Sequence, residues 1–137
     1  MILHICVNQW LTKSSGDMAK VNVDPGLRLD ITCRRGDTFI LNTYVDDLTG
    51  APIDTTQFTF KTEVRAYPGS DTIIITDDSF TYETGIDGML KITVEAEVMA
   101  DVDAGIYAYD VQATDDVSLI VMTWLYGTFT VNQDITQ

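Results

Sequence analysis

From Leu27 onward, apolar and polar positions alternate with a period of two: Leu27, Leu29, Ile31 and Cys33 against Arg28, Asp30 and Thr32. That period sends successive side chains to opposite faces of a strand. After the turn Arg34-Arg35-Gly36-Asp37, the run Thr38 to Asp46 is rich in β-branched and aromatic residues, which predicts two strands around one turn. Gln57 to Ala66 sets Phe58, Phe60, Val64 and Ala66 against Gln57, Thr59, Lys61, Glu63 and Arg65. Pro68-Gly69 then turns the chain into Ile73 to Thr76, Asp77-Asp78 turns it again, and Phe80 to Glu83 forms a short edge piece. Asp87-Gly88 marks a hairpin, after which Leu90, Ile92, Val94, Ala96 and Val98 alternate with polar residues as one half-buried strand. Met99 to Ala104 is a corner or single helical turn, followed by Ile106 to Thr114, an Asp115-Asp116 turn, and a final strand through Trp124, Tyr126, Phe129 and Val131. Seven or eight short strands without an amphipathic helix predict an all-β, antiparallel two-layer sandwich.

Residues 1–26 have no such rhythm. A short apolar opening leads through Trp10 and Leu11 into a turn-rich stretch from Thr12 to Asp17, then Val21, Val23 and Pro25. This reads as an extended N-terminal docking arm ahead of a sandwich domain over 27–137. Ile2, Trp10, Leu11, Val21 and Val23 are its partner-docking candidates, because exposed apolar side chains on an arm call for a partner surface. Met18 is a second candidate start.

Composition narrows the function. At 137 residues, 45% of them apolar, the chain makes one domain that buries roughly 68% of its unfolded surface without a metal or disulfide. No apolar run reaches the ~18 residues of a membrane span, and Met1 to Val7 carries neither a basic leader nor a small-residue cleavage site. A net charge of −13 repels phosphate backbones, which argues against nucleic acid as a partner. Within that total, residues 1–36 hold five basic groups against three acids, and no Lys or Arg follows Lys91. Such asymmetry fits a front segment docking on an acidic neighbour, and equally fits solvated strand faces that keep a domain soluble. Cys6 and Cys33 read as free thiols, and with the lone His4 they cannot supply the four ligands of a structural zinc.

Catalytic chemistry finds few supports. A nucleophile–histidine pair would have to use His4, in the arm. The pairs Asp46-Asp47, Asp77-Asp78 and Asp115-Asp116 fall in turns, where Asp is favoured because its carboxylate bonds nearby backbone. No phosphate-binding glycine loop or dinucleotide fingerprint occurs. Calcium held by loop acids is the one metal reading, with Asp101 and Asp103 as weak candidates; no cofactor is expected. Arg35-Gly36-Asp37 spells an adhesive tripeptide, but Gly-Asp between strands is a turn signal. Asp103-Ala104-Gly105-Ile106-Tyr107 has the spacing of a tyrosine corner, with Asp103, Gly105 and Tyr107 in the structural role, and this favours an immunoglobulin-like sandwich.

The segments Arg35-Gly36-Asp37-Thr38-Phe39, Leu48-Thr49-Gly50-Ala51-Pro52-Ile53-Asp54, Gly88-Met89-Leu90-Lys91-Ile92, Asp103 to Val111 and Gly127-Thr128-Phe129-Thr130-Val131 together resemble small structural proteins of tailed bacteriophages. The resemblance is to immunoglobulin-like virion proteins related to the N-terminal domain of the baseplate upper protein, and it spans about Leu27 to Thr136. It implies a non-enzymatic virion component of the tail, baseplate or fibre-attachment region, assembled in the host cytoplasm. Other virion proteins would be its partners, with several copies per particle and no membrane or nucleic acid. A capsid decoration protein on the head surface is the alternative within that class. Outside it stands a host-glycan or calcium-binding adhesion module that would use Tyr107, Tyr109, Trp124 or Tyr126.

Overall fold

The computed structural model describes residues 4–7, 26–47 and 49–133. Their strands are β1 (His4–Val7), β2 (Leu27–Arg28), β3 (Ile31–Arg34), β4 (Phe39–Asp46), β5 (Phe58–Arg65), β6 (Ile73–Ile75), β7 (Phe80–Thr84), β8 (Met89–Val94), β9 (Gly105–Asp115) and β10 (Val121–Asn132), with one short helix, α1 (Ala96–Ala100). One sheet has the order β1-β4-β8-β7; the other runs β2-β10-β9-β5-β6, with β3 also on β10. The chain changes sheet between β1 and β2, β3 and β4, β4 and β5, β6 and β7, and β8 and β9, while β5–β6, β7–β8 and β9–β10 are antiparallel neighbours within a sheet. This is the all-β, immunoglobulin-like sandwich, with two faces packed over one core.

Three expectations change. Arg34–Asp37 does not join a hairpin: β3 lies on β10 and β4 in the opposite sheet, so the turn carries the chain across the core. The pairing is also not wholly antiparallel, because β2 and β3 both run parallel to β10, through Leu27 opposite Leu125 and Ile31 opposite Phe129. Finally, the alternation from Leu90 to Val98 is not one strand. It ends at Val94, and Ala96–Ala100 coils so that Met99 and Val102, three residues apart, are the buried pair. Ala, Glu and Met are strong helix formers, and the Met99 anchor rewards a 3.6-residue period that alternation of Ala96 and Val98 would forgo.

The arm expected over 1–26 contains a strand of the sandwich. His4–Val7 pairs antiparallel with β4, His4 opposite Asp46 and Val7 opposite Thr43. Ile2, Trp10, Leu11, Val21 and Val23 lie outside the described residues.

The core follows strand parity. Phe39, Leu41 and Val45 from β4, with Leu90, Ile92 and Val94 from β8, face Phe60, Val64, Val111, Ala113, Phe129 and Val131 of the other sheet. Trp124 is 1% exposed and meets the rings of Phe58 and Phe60 at centroid distances of 4.9 and 5.4 Å. It is buried next to buried Leu125 because the β9–β10 register shifts between Thr123 and Leu125, and such a bulge turns two consecutive side chains inward. The same strand explains why the first edge breaks in two. The Leu29 N–H donates to the Tyr126 carbonyl at 2.8 Å, and the Asp30 carboxylate accepts the Thr128 N–H at 3.0 Å. Between them Gly127 sits at φ 153°, where a Cβ would lie 2.5 Å from the Leu29 carbonyl oxygen. Only glycine admits that approach.

Two polar links close the ends of the sandwich. Thr55, fully buried, donates its hydroxyl toward the Met89 and Gly85 carbonyls and accepts the Gly85 N–H at 2.9 Å, fastening the β4–β5 crossing to the β7–β8 hairpin. Asp77 accepts the Thr62 N–H of β5 at 2.9 Å and the Tyr82 hydroxyl of β7 at 2.7 Å, so one carboxylate bridges the two sheets at their edge.

Candidate functional site

The outer face of the β10-β9-β5 sheet carries the polar half of each alternation. Where the chain leaves β5 toward β6 and where β9 begins, that face sinks into a depression of about 510 Å³. Arg28 of β2, Glu63 and Arg65 of β5, Ile106, Ala108 and Asp110 of β9, Tyr126 and Thr128 of β10, and Tyr67 from the β5–β6 connection line it. The volume lies within the range of small-ligand sites.

Its charges are tightly tied. Arg65 pairs with Glu63 at 2.7 Å and donates to the Ser70 carbonyl at 2.6 Å, which fixes its guanidinium across the floor. Hydrogen bonding to Glu63 raises its pKa further. Arg28 sits 3.3 Å from Asp30. Burial, and then the neighbouring Glu63, push the Asp110 carboxyl above the ordinary carboxylate range, against the pull of Arg65 and Lys61. Two guanidiniums therefore face two carboxylates here, on a chain with eight basic groups and twenty-one acids.

Beside the depression is the tyrosine corner. The Tyr107 hydroxyl donates to the Asp103 carbonyl, and a Cβ on Gly105 would lie 3.3 Å from the Tyr107 ring, a tight contact. Two residues on, buried Tyr109 donates its hydroxyl to the Leu29 carbonyl, and burial raises its pKa. Of the four aromatics weighed for a glycan, Trp124 lies in the core away from the depression, while Tyr107, Tyr109 and Tyr126 line it, Tyr109 as a buried core residue and Tyr107 with its hydroxyl spent on the corner.

The loop acids act as turn formers. Asp47 accepts the Thr49 and Ala51 N–H groups at 2.8 and 3.1 Å, Asp54 the Thr56 N–H at 3.0 Å, and Asp115 those of Val117 and Ser118 at 2.8 and 3.1 Å. The Thr49 and Thr56 hydroxyls, which also donate to Asp47 and Asp54, and then those N–H groups hold these two carboxyls below their ordinary range; the Ser118 and Val117 N–H groups do so for Asp115, and the Thr128 N–H for Asp30. Asp101 and Asp103 are exposed, and Asp103 lies 3.8 Å from Arg35. Among the described residues no three acid, cysteine or histidine side chains converge as a metal site. Arg35, of the adhesive tripeptide, donates its Nε–H to the Ala100 carbonyl at 3.0 Å and so satisfies the end of α1. The Cys33 thiol faces the Thr130 carbonyl at 3.5 Å, half-buried, and burial pushes its pKa up to about 11. The backbone of His4 lies on β1, in the sheet opposite the depression.

Sequence reasoning missed two features. The first is the depression itself, for which Ile106, apolar on the polar parity of β9, was the available signal. The second is the β9–β10 hairpin tip, where Val117, Leu119, Ile120 and Val121 are all more than half exposed. An apolar run directly after the Asp-Asp turn signal was legible, but strand parity absorbed it.

No family model matches the chain, and no curated protein matches it. Among solved structures, a family 123 glycoside hydrolase from Clostridium perfringens, described for glycolipid glycan hydrolysis, aligns over 100% of this chain at 11% identity with a TM-score of 0.55. The chain spans about 28% of that hydrolase, and at this identity the likeness is one of fold alone. The Lin-41 filamin domain aligns over 74% of this chain and 82% of its own length at 10% identity, TM-score 0.44. Titin domain M3 aligns over 78% and 91% at 11% identity, TM-score 0.45. No helix among the described residues is long and apolar enough to cross a membrane.

Proposed function

We propose that this chain is a non-enzymatic structural module of a tailed-phage virion, acting in the tail, baseplate or fibre-attachment region alongside other virion proteins. The observation that carries this reading is how the polar and apolar surface groups are used. The loop carboxylates of Asp47, Asp54 and Asp115 are engaged in turn hydrogen bonds. The conspicuous unpaired surface is apolar, at the hairpin tip. A sandwich with rigid turns and exposed apolar groups is suited to holding neighbours. Its edge strands, β6 and β7 among them, offer further places for strand addition. The phage resemblance over residues 27–136 supplies the particle. A head-surface decoration protein would use the same features.

A second reading, a glycan-binding module, draws on the depression, where exposed Tyr67 and half-exposed Tyr126 accompany Glu63, Asp110 and two arginines. Aromatic faces beside fixed polar groups do bind sugars. The two readings separate by experiment. Antibody labelling of purified particles in electron micrographs should mark a fixed location at the tail end, whereas label on the head surface would move the assignment to decoration. Particles carrying no label would defeat the virion reading. Retention of the chain on a glycan array, abolished by Tyr126→Ala, would favour the adhesion module.

A further inference from the structure

Strand register lays the polar face around the depression out in rows. Tyr126, Asp110 and Glu63 stand opposite one another across β10, β9 and β5, and Arg28 of β2 continues the row beyond Tyr126. The next row holds Thr128, Ala108 and Arg65, in which Ala108 is the smallest side chain. The depression of about 510 Å³ lies around these two rows, with Ile106 and Tyr67 also in its wall. Glu63 directly opposite Asp110 sets two like charges face to face on adjacent strands, an arrangement that works against sheet pairing. A local conflict of this kind is expected where a residue serves chemistry and not the fold.

The depression has two guanidiniums and two carboxylates, equal in number but not equally committed. Glu63 is taken up by Arg65 at 2.7 Å, Arg65 is held in addition by the Ser70 carbonyl, and Arg28 is turned to Asp30 at 3.3 Å. Half-buried Asp110 is the one of the four whose side chain makes no hydrogen bond or ion pair among the described residues. Burial and Glu63 disfavour its charge, and Arg65 and Lys61 compensate only in part. A ligand bringing both a positive charge and N–H donors would relieve the repulsion and satisfy the carboxylate together. We infer that the depression is a binding site for a primary ammonium group, with the Asp110 carboxylate as its acceptor and the rings of Tyr67 and Tyr126 beside its alkyl stem. Aromatic faces add to the attraction for a cation, whereas a neutral sugar would leave the Asp110 charge unmatched and an anion would be repelled by it. A lysine side chain displayed by a neighbouring protein and a free alkyl diamine both carry that group. The inference does not depend on where the chain resides, and so stands apart from the virion reading.

Two-dimensional NMR of the full chain, titrated with Nα-acetyl-lysine amide and separately with putrescine, tests this. The backbone amide signals of Ala108, Asp110 and Tyr126 should move saturably with both. Nα-acetyl-norleucine amide, which has the same stem without the charge, should leave them in place, and so should methyl glucoside. Asp110→Asn should bind at least about tenfold more weakly. With the repulsion from Glu63 gone, it should melt no lower than the parent. Asp101→Asn, which removes an exposed acid outside the depression, should bind as the parent does, separating a site from general attraction to a chain of charge −13. Putrescine at least about tenfold tighter than the lysine amide would support the site as one for free diamines; any smaller difference would support it as one for a displayed lysine. Signals that follow norleucine amide equally, shifts spread evenly over the acidic surface, or Asp110→Asn binding like the parent would each overturn the proposal. An Asp110→Asn chain that melts lower would make the carboxylate a structural group and overturn it too. Methyl glucoside moving the same amides would give the depression to the glycan reading instead. Particles that lack the chain would defeat the virion reading and leave this site in place.

Discussion

Replacing Thr55 by valine removes one hydroxyl and keeps the shape of the side chain, which makes it a clean probe of the link between the β4–β5 crossing and the β7–β8 hairpin. The residue is fully buried, and its hydroxyl is the acceptor for the Gly85 N–H at 2.9 Å while donating toward the Met89 and Gly85 carbonyls. The Gly85 carbonyl keeps a partner in the Thr55 N–H at 3.2 Å. Valine therefore deletes one donated bond, about 1 kcal/mol net, and strands a backbone N–H, another ~1–3 kcal/mol, so about 2–4 kcal/mol is expected. With unfolding entropy of ~2.1 cal/mol/K per residue over 137 residues, that lowers Tm by about 7–14 °C. Urea unfolding followed by tryptophan fluorescence should show a lower midpoint at unchanged slope. Thr55→Ser, which keeps the hydroxyl, should cost about 1 kcal/mol for its lost methyl group. A valine variant within about 0.5 kcal/mol of the parent would refute the assignment of this hydroxyl as the fastening group.

Other changes read different parts of the architecture. Gly127→Ala places a Cβ 2.5 Å from the Leu29 carbonyl oxygen and should destabilise by more than about 2 kcal/mol, with amide exchange accelerating first at Leu29 and Thr128; unchanged exchange there would speak against the close approach. Tyr107→Phe should cost about 1 kcal/mol by removing the bond to Asp103, and equal stability in thermal melts would deny the corner that role. Folded-state pKa values below ordinary ones at Asp30, Asp47, Asp54 and Asp115 mean stability that is present above about pH 4 and lost as pH falls through the folded values; Asp47→Asn together with Asp54→Asn should flatten that acid limb in pH-dependent melts. Cys33 has the opposite sense: a thiol raised to about 11 contributes stability below its unfolded value that is lost as pH rises toward 11. In a Cys6→Ser background, Cys33 should therefore react slowly with a thiol reagent at pH 8 until the chain is unfolded.

Much of this protein was legible in its residue order. Period-two alternation at Phe58–Val64 and Leu90–Val94 named both the strands and their buried faces, because side chains on a pleated strand have only two sides to choose from. The Asp-x-Gly-x-Tyr spacing located the corner, since its hydrogen bond spans only four residues. Aspartates in turns declared themselves for the same reason: their partners are two to four positions away.

What tertiary structure alone decided depends on partners distant in sequence. Nothing near Leu27–Arg34 says that it runs parallel to a strand about a hundred residues later, or that Gly127 breaks it in two. Met99 turned Ala96–Ala100 into a helix because a core pocket was waiting, and no local period shows a pocket. The depression exists only where outward residues of β2, β5, β9 and β10 are brought side by side. Alternation fixes which way a side chain points along its own strand, but which strand lies next to it is settled by the packing of the whole chain.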